Sequence, residues 1–195
     1  MTVPAKKTAE NEKKRIIFGL KPLEFASGTG QTGKVCYING IMNMKITVLN
    51  GPNLQLLGSR KVEVYGRVTL ETIEARLRDV AQELGVEMTF FQSNHEGDLV
   101  DAIAAAKADG CAGIVINPAA YTHTSVAIRD AIEGVALPAI EIHLSNIHAR
   151  EGFRHESLTA PVCIGQIAGL GADGYEWAFR ALVKYIQNHQ QEKKD

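Results

Sequence analysis

His143 follows Glu141 by two positions in an apolar run, residues 139–142, of this 195-residue chain. On an extended strand residues two apart share a face, so the carboxylate and the imidazole stand side by side. A carboxylate in that place fixes the imidazole tautomer and favours its protonated form, which equips it as a general acid. A surface Glu–His pair is the plainer account. Arg60 and Tyr65 share an irregular loop bounded by Gly58 and Gly66. A free tyrosine has a pKa of ~10, so only about one in a thousand is ionised at neutral pH. A neighbouring guanidinium can lower an anion's pKa by about 1–3 units, worth roughly 1.4 kcal/mol each. That would make Tyr65 a usable base; an aromatic anchor for the loop is the simpler account, and both stay open on these residues alone.

Other chemistries lack their residues. His143, His148 and His155 are spaced by five and seven, which matches neither HxxxH nor HExxH. No GxSxG elbow is present. Cys36, Cys111 and Cys163 are odd in number and form no CxxC pair, which argues against a disulfide framework or a structural zinc. Cys111 and Cys163 fall at strand starts or within strands, where buried inert cysteine is the usual reading. No lysine ends a strand in an apolar pocket, so Schiff-base chemistry lacks its amine. Acid–base chemistry on a polyhydroxylated anion remains.

These residues need elements to hold them. Residues 46–50, 86–92, 112–117, 137–142 and 161–165 read as strands. Between them, helices are expected from Leu70 to Leu84, over 98–108 and over 124–134, with a last one over 174–190. Thr69 caps the first, whose face is Leu70, Ile73, Leu77, Val80, Ala81 and Leu84, and Gly85 stops it. Five βα units with short links and near-continuous apolar strands imply a parallel sheet covered on both faces. Right-handed crossovers favour an α/β, flavodoxin-like, doubly wound five-stranded sheet. Ligands bind such sheets outside the carboxyl ends of the strands. Asn50, Asn53, Arg60 and Tyr65 follow the first strand there, and Gln92 to His95 the second. Asn117, Tyr121 and His123 follow the third, His143, Ser145, His148, Arg150 and Arg154 the fourth, and Gln166 the fifth. Turn chemistry accounts for Asn50, Ser93 and Asn94, but poorly for His123, His143 and the arginines.

Charge divides the chain. Residues 1–43 carry seven Lys/Arg against three Asp/Glu, while the whole chain has a net charge of −1. That segment shows no sustained period of 2 or 3.6 and is expected to be a disordered extension. Met44 opens a self-sufficient unit over 44–195, so the extension reads as a translated upstream segment. Gly28 to Lys34 matches GxxxxGK, but Val35 stands where a P-loop needs Ser or Thr, and a β-branched stretch follows instead of a helix. A flexible Gly-rich linker is the reading there. The near-neutral charge argues against a nucleic-acid partner bound through bulk charge. Apolar runs fall short of the ~18 residues of a membrane span, and no secretory signal is recognisable, so a cytoplasmic setting is expected.

Five motifs occur in order. They are Leu49-Asn-Gly-Pro-Asn-Leu54, Leu56 to Arg60 with Tyr65-Gly66, Gln92-Ser-Asn94 with Glu96-Gly97, Asn117-Pro with Tyr121 to Ser125, and Glu141 to Arg150 with Phe153-Arg154. Together they resemble type II 3-dehydroquinate dehydratase, from Met44 to about Gln187. The resemblance implies a metal-free and cofactor-free anti elimination of water from 3-dehydroquinate to 3-dehydroshikimate through an enolate. It implies Tyr65 as the base at C2, Arg60 as the group that keeps Tyr65 ionised, and Asn53 as the holder of a water at the enolate oxygen. It implies His143 as the acid for the C1 hydroxyl, with Glu141 orienting it. Asn117, His123 and Arg154 match hydroxyl-binding residues, the backbone amides of Leu144 and Ser145 the carboxylate site, and Arg150 the lid arginine. Asp130 matches an acid reaching a neighbouring subunit's site, which implies a homododecamer built as a tetramer of trimers. The implied setting is aromatic biosynthesis or quinate breakdown. Val62 stands where many members have proline, which implies a lid of different rigidity, and residues 1–43 have no family counterpart.

Two other classes stay on the page. A flavodoxin-like binding module without catalysis predicts no turnover and tolerance of rim substitutions. A nucleotide hydrolase using Lys34 predicts that deleting 1–43 abolishes activity.

Overall fold

β1 (Lys45–Asn50) sends Ile46 and Val48 into one core and Leu49 into the other. The same period of two runs through β3 (Gly113–Asn117), where Val115 joins the first core and Ile114 and Ile116 the second. The computed structural model describes residues 44–59 and 68–191. The extension expected over 1–43 lies outside the described residues, as do Arg60 and Tyr65.

β2 (Glu87–Gln92), β4 (Ala139–His143) and β5 (Gly165–Ala168) complete an all-parallel sheet in the order β2-β1-β3-β4-β5. This is the flavodoxin-like order that the alternation of elements predicts. α1 (Leu70–Leu84) and α4 (Asp173–Gln191) cover one face, and α2 (Glu96–Ala108) and α3 (Val126–Val135) the other. The Thr69 side chain accepts the Thr72 N–H at 3.2 Å, and Gly85 ends α1 at φ 66°, so both expected signals act. In α4, Tyr175, Phe179, Leu182 and Ile186 recur at spacings of three and four and are all buried. Burying each such side chain contributes roughly 1.5–3 kcal/mol. Among the described residues no helix is long and apolar enough to cross a membrane.

Several expectations shift, three of them for a visible reason. β2 alternates exposed and half-buried residues because it is an edge strand, with no helix over part of one face. α2 begins at Glu96, before the expected 98, because Ser93 Oγ accepts the His95 N–H at 3.0 Å and donates to Asp98 at 2.7 Å, so Asp98 serves the first turn from within. The fifth strand is displaced most. Residues 160–162, with Pro161 among them, form a 3₁₀ turn, and pairing starts only where the Ile164 N–H reaches the Ala139 carbonyl at 2.8 Å. β5 is therefore Gly165–Ala168, and Gln166 lies opposite Glu141 in register instead of in a loop.

Candidate active site

The sheet order reverses between β1 and β3, whose chain directions leave on opposite sides and open a crevice at their carboxyl ends. The two ends are drawn tightly together. The Gly51 N–H donates to the Asn117 carbonyl at 2.8 Å, and a Cβ at Gly51 would stand 2.4 Å from the Pro118 carbonyl oxygen. Only glycine fits so close a backbone approach. Asn53 then takes a left-handed conformation (φ 67°) and donates its N–H to Asn94 Oδ1 at 2.9 Å, which turns the loop over the crevice. Ala119, on the opposite lip, is also left-handed at φ 54°.

A cavity of about 220 Å³ occupies this position. Eight of the sequence-derived residues line it: Asn53, Asn117, His123, His143, Leu144, Ser145, Arg150 and Arg154. Glu141 is fully buried and supports His143 from behind. Asp130 is not among the lining residues; it is exposed on α3, 3.1 Å from Arg129. Arg60 and Tyr65 lie outside the described residues, and Leu56 and Leu57, which precede them, line the cavity.

The dyad expected on β4 is formed. His143 Nε2 lies 2.7 Å from Glu141 Oε1, which leaves Nδ1 as the ring nitrogen available to a ligand. A buried carboxylate is costly unless it is well hydrogen-bonded. Ser157 Oγ donates at 3.0 Å, Gln166 Nε2 donates at 2.6 Å, and Thr159 Oγ1 donates through a short contact. Burial alone would raise the Glu141 pKa. The hydrogen bonds from His143, Thr159 and Gln166, with the charge of His143, outweigh it and hold the carboxyl below its usual range. Glu141 is thus held as an anion at neutral pH, and it fixes the orientation of the His143 ring.

The rest of the lining suits an oxygen-rich anion. Asn117 is buried at the end of β3, accepting the Ala119 N–H on Oδ1 at 3.1 Å and donating through Nδ2 to Tyr175 at 2.9 Å. His123 Nδ1 lies 2.6 Å from the Glu156 carbonyl, which must accept, so the proton is on Nδ1. Arg150 and Arg154 contact the same carboxylate, Glu151 Oε2, at 3.4 and 3.0 Å. The Arg154 guanidinium also packs over the Phe153 ring at 4.9 Å.

Among the described residues neither cysteine is set up as a nucleophile. Burial, aided by the charge of Glu141, pushes the Cys163 thiol up to about 12, and burial raises Cys111 as well. Cys163 precedes β5 and Cys111 precedes β3, so neither lies within a strand. Among the described residues no three or more His, Cys, Asp or Glu side chains gather to hold a metal. His148 and His155 approach to 6.2 Å between ring centroids, but His155 Nε2 is engaged by the Arg150 carbonyl.

Ser157, Thr159, Glu151 and Tyr175 were not legible as site residues. Ser157 and Thr159 reach Glu141 across 16 and 18 positions, and no local period marks such contacts. Gln166 was visible on the rim, but its role depended on the register of β5.

The chain is similar to known proteins in sequence and in architecture. A family model described as Dehydroquinase class II matches residues 44–183. The chain is 58% identical over 144 residues to a 3-dehydroquinate dehydratase of Bordetella avium, covering 74% of this chain and 100% of that protein. It is 57% identical over 136 residues to a 3-dehydroquinate dehydratase of Bacillus subtilis, covering 70% and 91%. Among solved structures, the type II dehydroquinase from Butyrivibrio crossotus superposes with a TM-score of 0.71 at 48% identity, covering 72% of this chain and 97% of that one. The type II dehydroquinase from Propionibacterium acnes gives 0.68 at 42% identity, covering 75% and 99%.

Proposed function

The chain belongs to the class II dehydroquinase family, and from that premise we propose that it is a hydro-lyase converting 3-dehydroquinate to 3-dehydroshikimate. Tyr65, kept ionised by Arg60, removes the C2 proton next to the ketone. The electron pair moves into an enolate whose oxygen meets a water positioned by Asn53. His143 then gives a proton to the C1 hydroxyl, water departs, and the double bond forms. Asn117, His123 and Arg154 hold the ring hydroxyls, the amides of Leu144 and Ser145 hold the carboxylate, and Arg150 closes over it. None of these steps draws on a metal or a cofactor.

One observation carries the reading. An imidazole held at 2.7 Å by a buried carboxylate opens into a cavity that two arginines, a second histidine and a buried amide also line. A forming enolate is stabilised by donors set in place beforehand, and each acid–base group typically contributes about 10²–10⁴-fold. The catalytic unit is residues 44–195, working in the cytoplasm as a dodecamer, a tetramer of trimers. Asp130, exposed on its own subunit, serves a neighbour's cavity there.

The test follows the conjugated enone by its ultraviolet absorbance, with 3-dehydroquinate and a chelator. Turnover should persist with chelator and after deletion of 1–43. Tyr65→Phe and Arg60→Ala should each cut kcat far more than they change substrate affinity. Near-normal turnover by Tyr65→Phe would remove it as the base. Light scattering should give the mass of twelve chains.

A further inference from the structure

Asn50 and Asn117 end neighbouring strands, pair in register, and are both buried on the face covered by α4. Two buried carboxamides side by side need partners that agree on which atom donates. One phenol supplies the agreement. Tyr175, fully buried in the first turn of α4, donates its hydroxyl to Asn50 Oδ1 at 2.5 Å and accepts from Asn117 Nδ2 at 2.9 Å. A hydroxyl has one proton, so spending it on Asn50 forces Asn117 to present Nδ2 to the phenol. The Ala119 N–H pins the other end of the same amide at 3.1 Å. Of the three side chains only Asn117 lines the cavity. Its second Nδ2 hydrogen and second Oδ1 lone pair are what this accounting leaves for a ligand hydroxyl.

The arrangement is built around Asn117 and not around its own saturation. Asn50 Nδ2 is left with no hydrogen-bond partner among the described residues, although a buried donor is rarely left so. The phenol reaches this depth because Gly174 lets the first turn of α4 sit against β4, where a Cβ would stand 2.7 Å from Ile142 Cδ1. Burial pushes the phenol upward in pKa, so it stays protonated and keeps its donor role.

We propose that Tyr175 is a positioning residue for substrate binding, acting through the amide of Asn117 to fix which of its atoms meets the substrate's hydroxyls. This rests on the reading of the cavity as a dehydroquinate site. The experiment is a double-mutant cycle on the full chain, with kcat and KM for 3-dehydroquinate and Kd for the product, 3-dehydroshikimate, by calorimetry. Tyr175→Phe keeps the ring and removes the hydroxyl. It should raise KM and Kd roughly tenfold and change kcat by less than about threefold, the size of one lost hydrogen bond. In an Asn117→Ser background the same change should add less than about twofold, because the residue it acts through is already gone. Asn50→Ala, which removes the acceptor but keeps the phenol, should raise KM less, again only when Asn117 is present, and serves if Tyr175→Phe fails to fold. Unchanged KM and Kd in both variants, or effects that multiply with Asn117→Ser, overturn the proposal. A parent chain that turns over while the cycle shows no coupling fails Tyr175 alone, whereas a parent chain that produces no enone fails the dehydratase reading and this proposal together.

Discussion

On the β4 side of the cavity, a fully buried carboxylate is met by four side-chain partners, His143, Ser157, Thr159 and Gln166. On the β1 and β3 side, two carboxamides share one phenol, with one donor left over. The first wall holds a full charge and the second holds none. A buried charge is tolerable only when its partners are nearly complete, whereas neutral amides survive with an incomplete set. Under the proposed mechanism the difference follows function. Moving a proton needs a fixed counter-charge, and recognising a hydroxyl needs a donor and an acceptor pointed the right way.

Removing the proposed acid separates the two walls most sharply. His143→Ala should lower kcat by about 10²–10⁴-fold, while exchange of the substrate's C2 proton, followed by NMR in deuterated water, continues. Loss of exchange together with dehydration would mean that the β4 wall does not act alone at the second step. Next in size is Gly51→Ala, which drives a Cβ into the Pro118 carbonyl where the β1 and β3 ends meet. A cost of about 1–3 kcal/mol in denaturant unfolding is expected, with a raised KM, because Asn117 adjoins the clash.

A pH effect should distinguish the walls further. The Glu141 carboxyl lies below its ordinary range, so it adds stability above that range and loses it as pH falls through its lowered folded value. Gln166→Leu or Thr159→Val removes a donor and raises that folded value. Acid unfolding should then begin at higher pH, read by circular dichroism. Tyr175→Phe, on the neutral wall, should lower stability by a similar amount at every pH and leave its pH dependence unchanged. The smallest effect concerns backbone strain. Ala136 ends α3 at φ 51°, remote from the cavity, and Ala119 sits at φ 54° on its lip. Ala136→Gly should stabilise by up to about 1 kcal/mol with unchanged kinetics. Ala119→Gly should match that gain but raise KM, since it keeps the N–H that holds Asn117 yet frees the backbone carrying it and removes a methyl from the cavity lining.

Much of this was legible in the chain itself. Period-two strands, the Thr69 cap, the Gly85 stop and the alternation of elements specify a doubly wound sheet, because these signals act over a few residues and each depends only on its neighbours. The polar residues after each strand pointed to one rim, since a parallel sheet puts every carboxyl end on the same side. Glu141 and His143 were readable as a pair for the same local reason, being two apart on one strand.

What the chain could not declare was the company those residues keep. Gln166 became a partner of Glu141 only when Pro161 spent its stretch in a turn and β5 began later, at Gly165. Ser157 and Thr159 joined the same carboxylate through the path of a loop, and Tyr175 crossed 58 positions to reach Asn117. Sequence spacing determined which side chains share an element and a face. Packing of separate elements, with the demand that each buried polar atom find a partner, decided which of them touch.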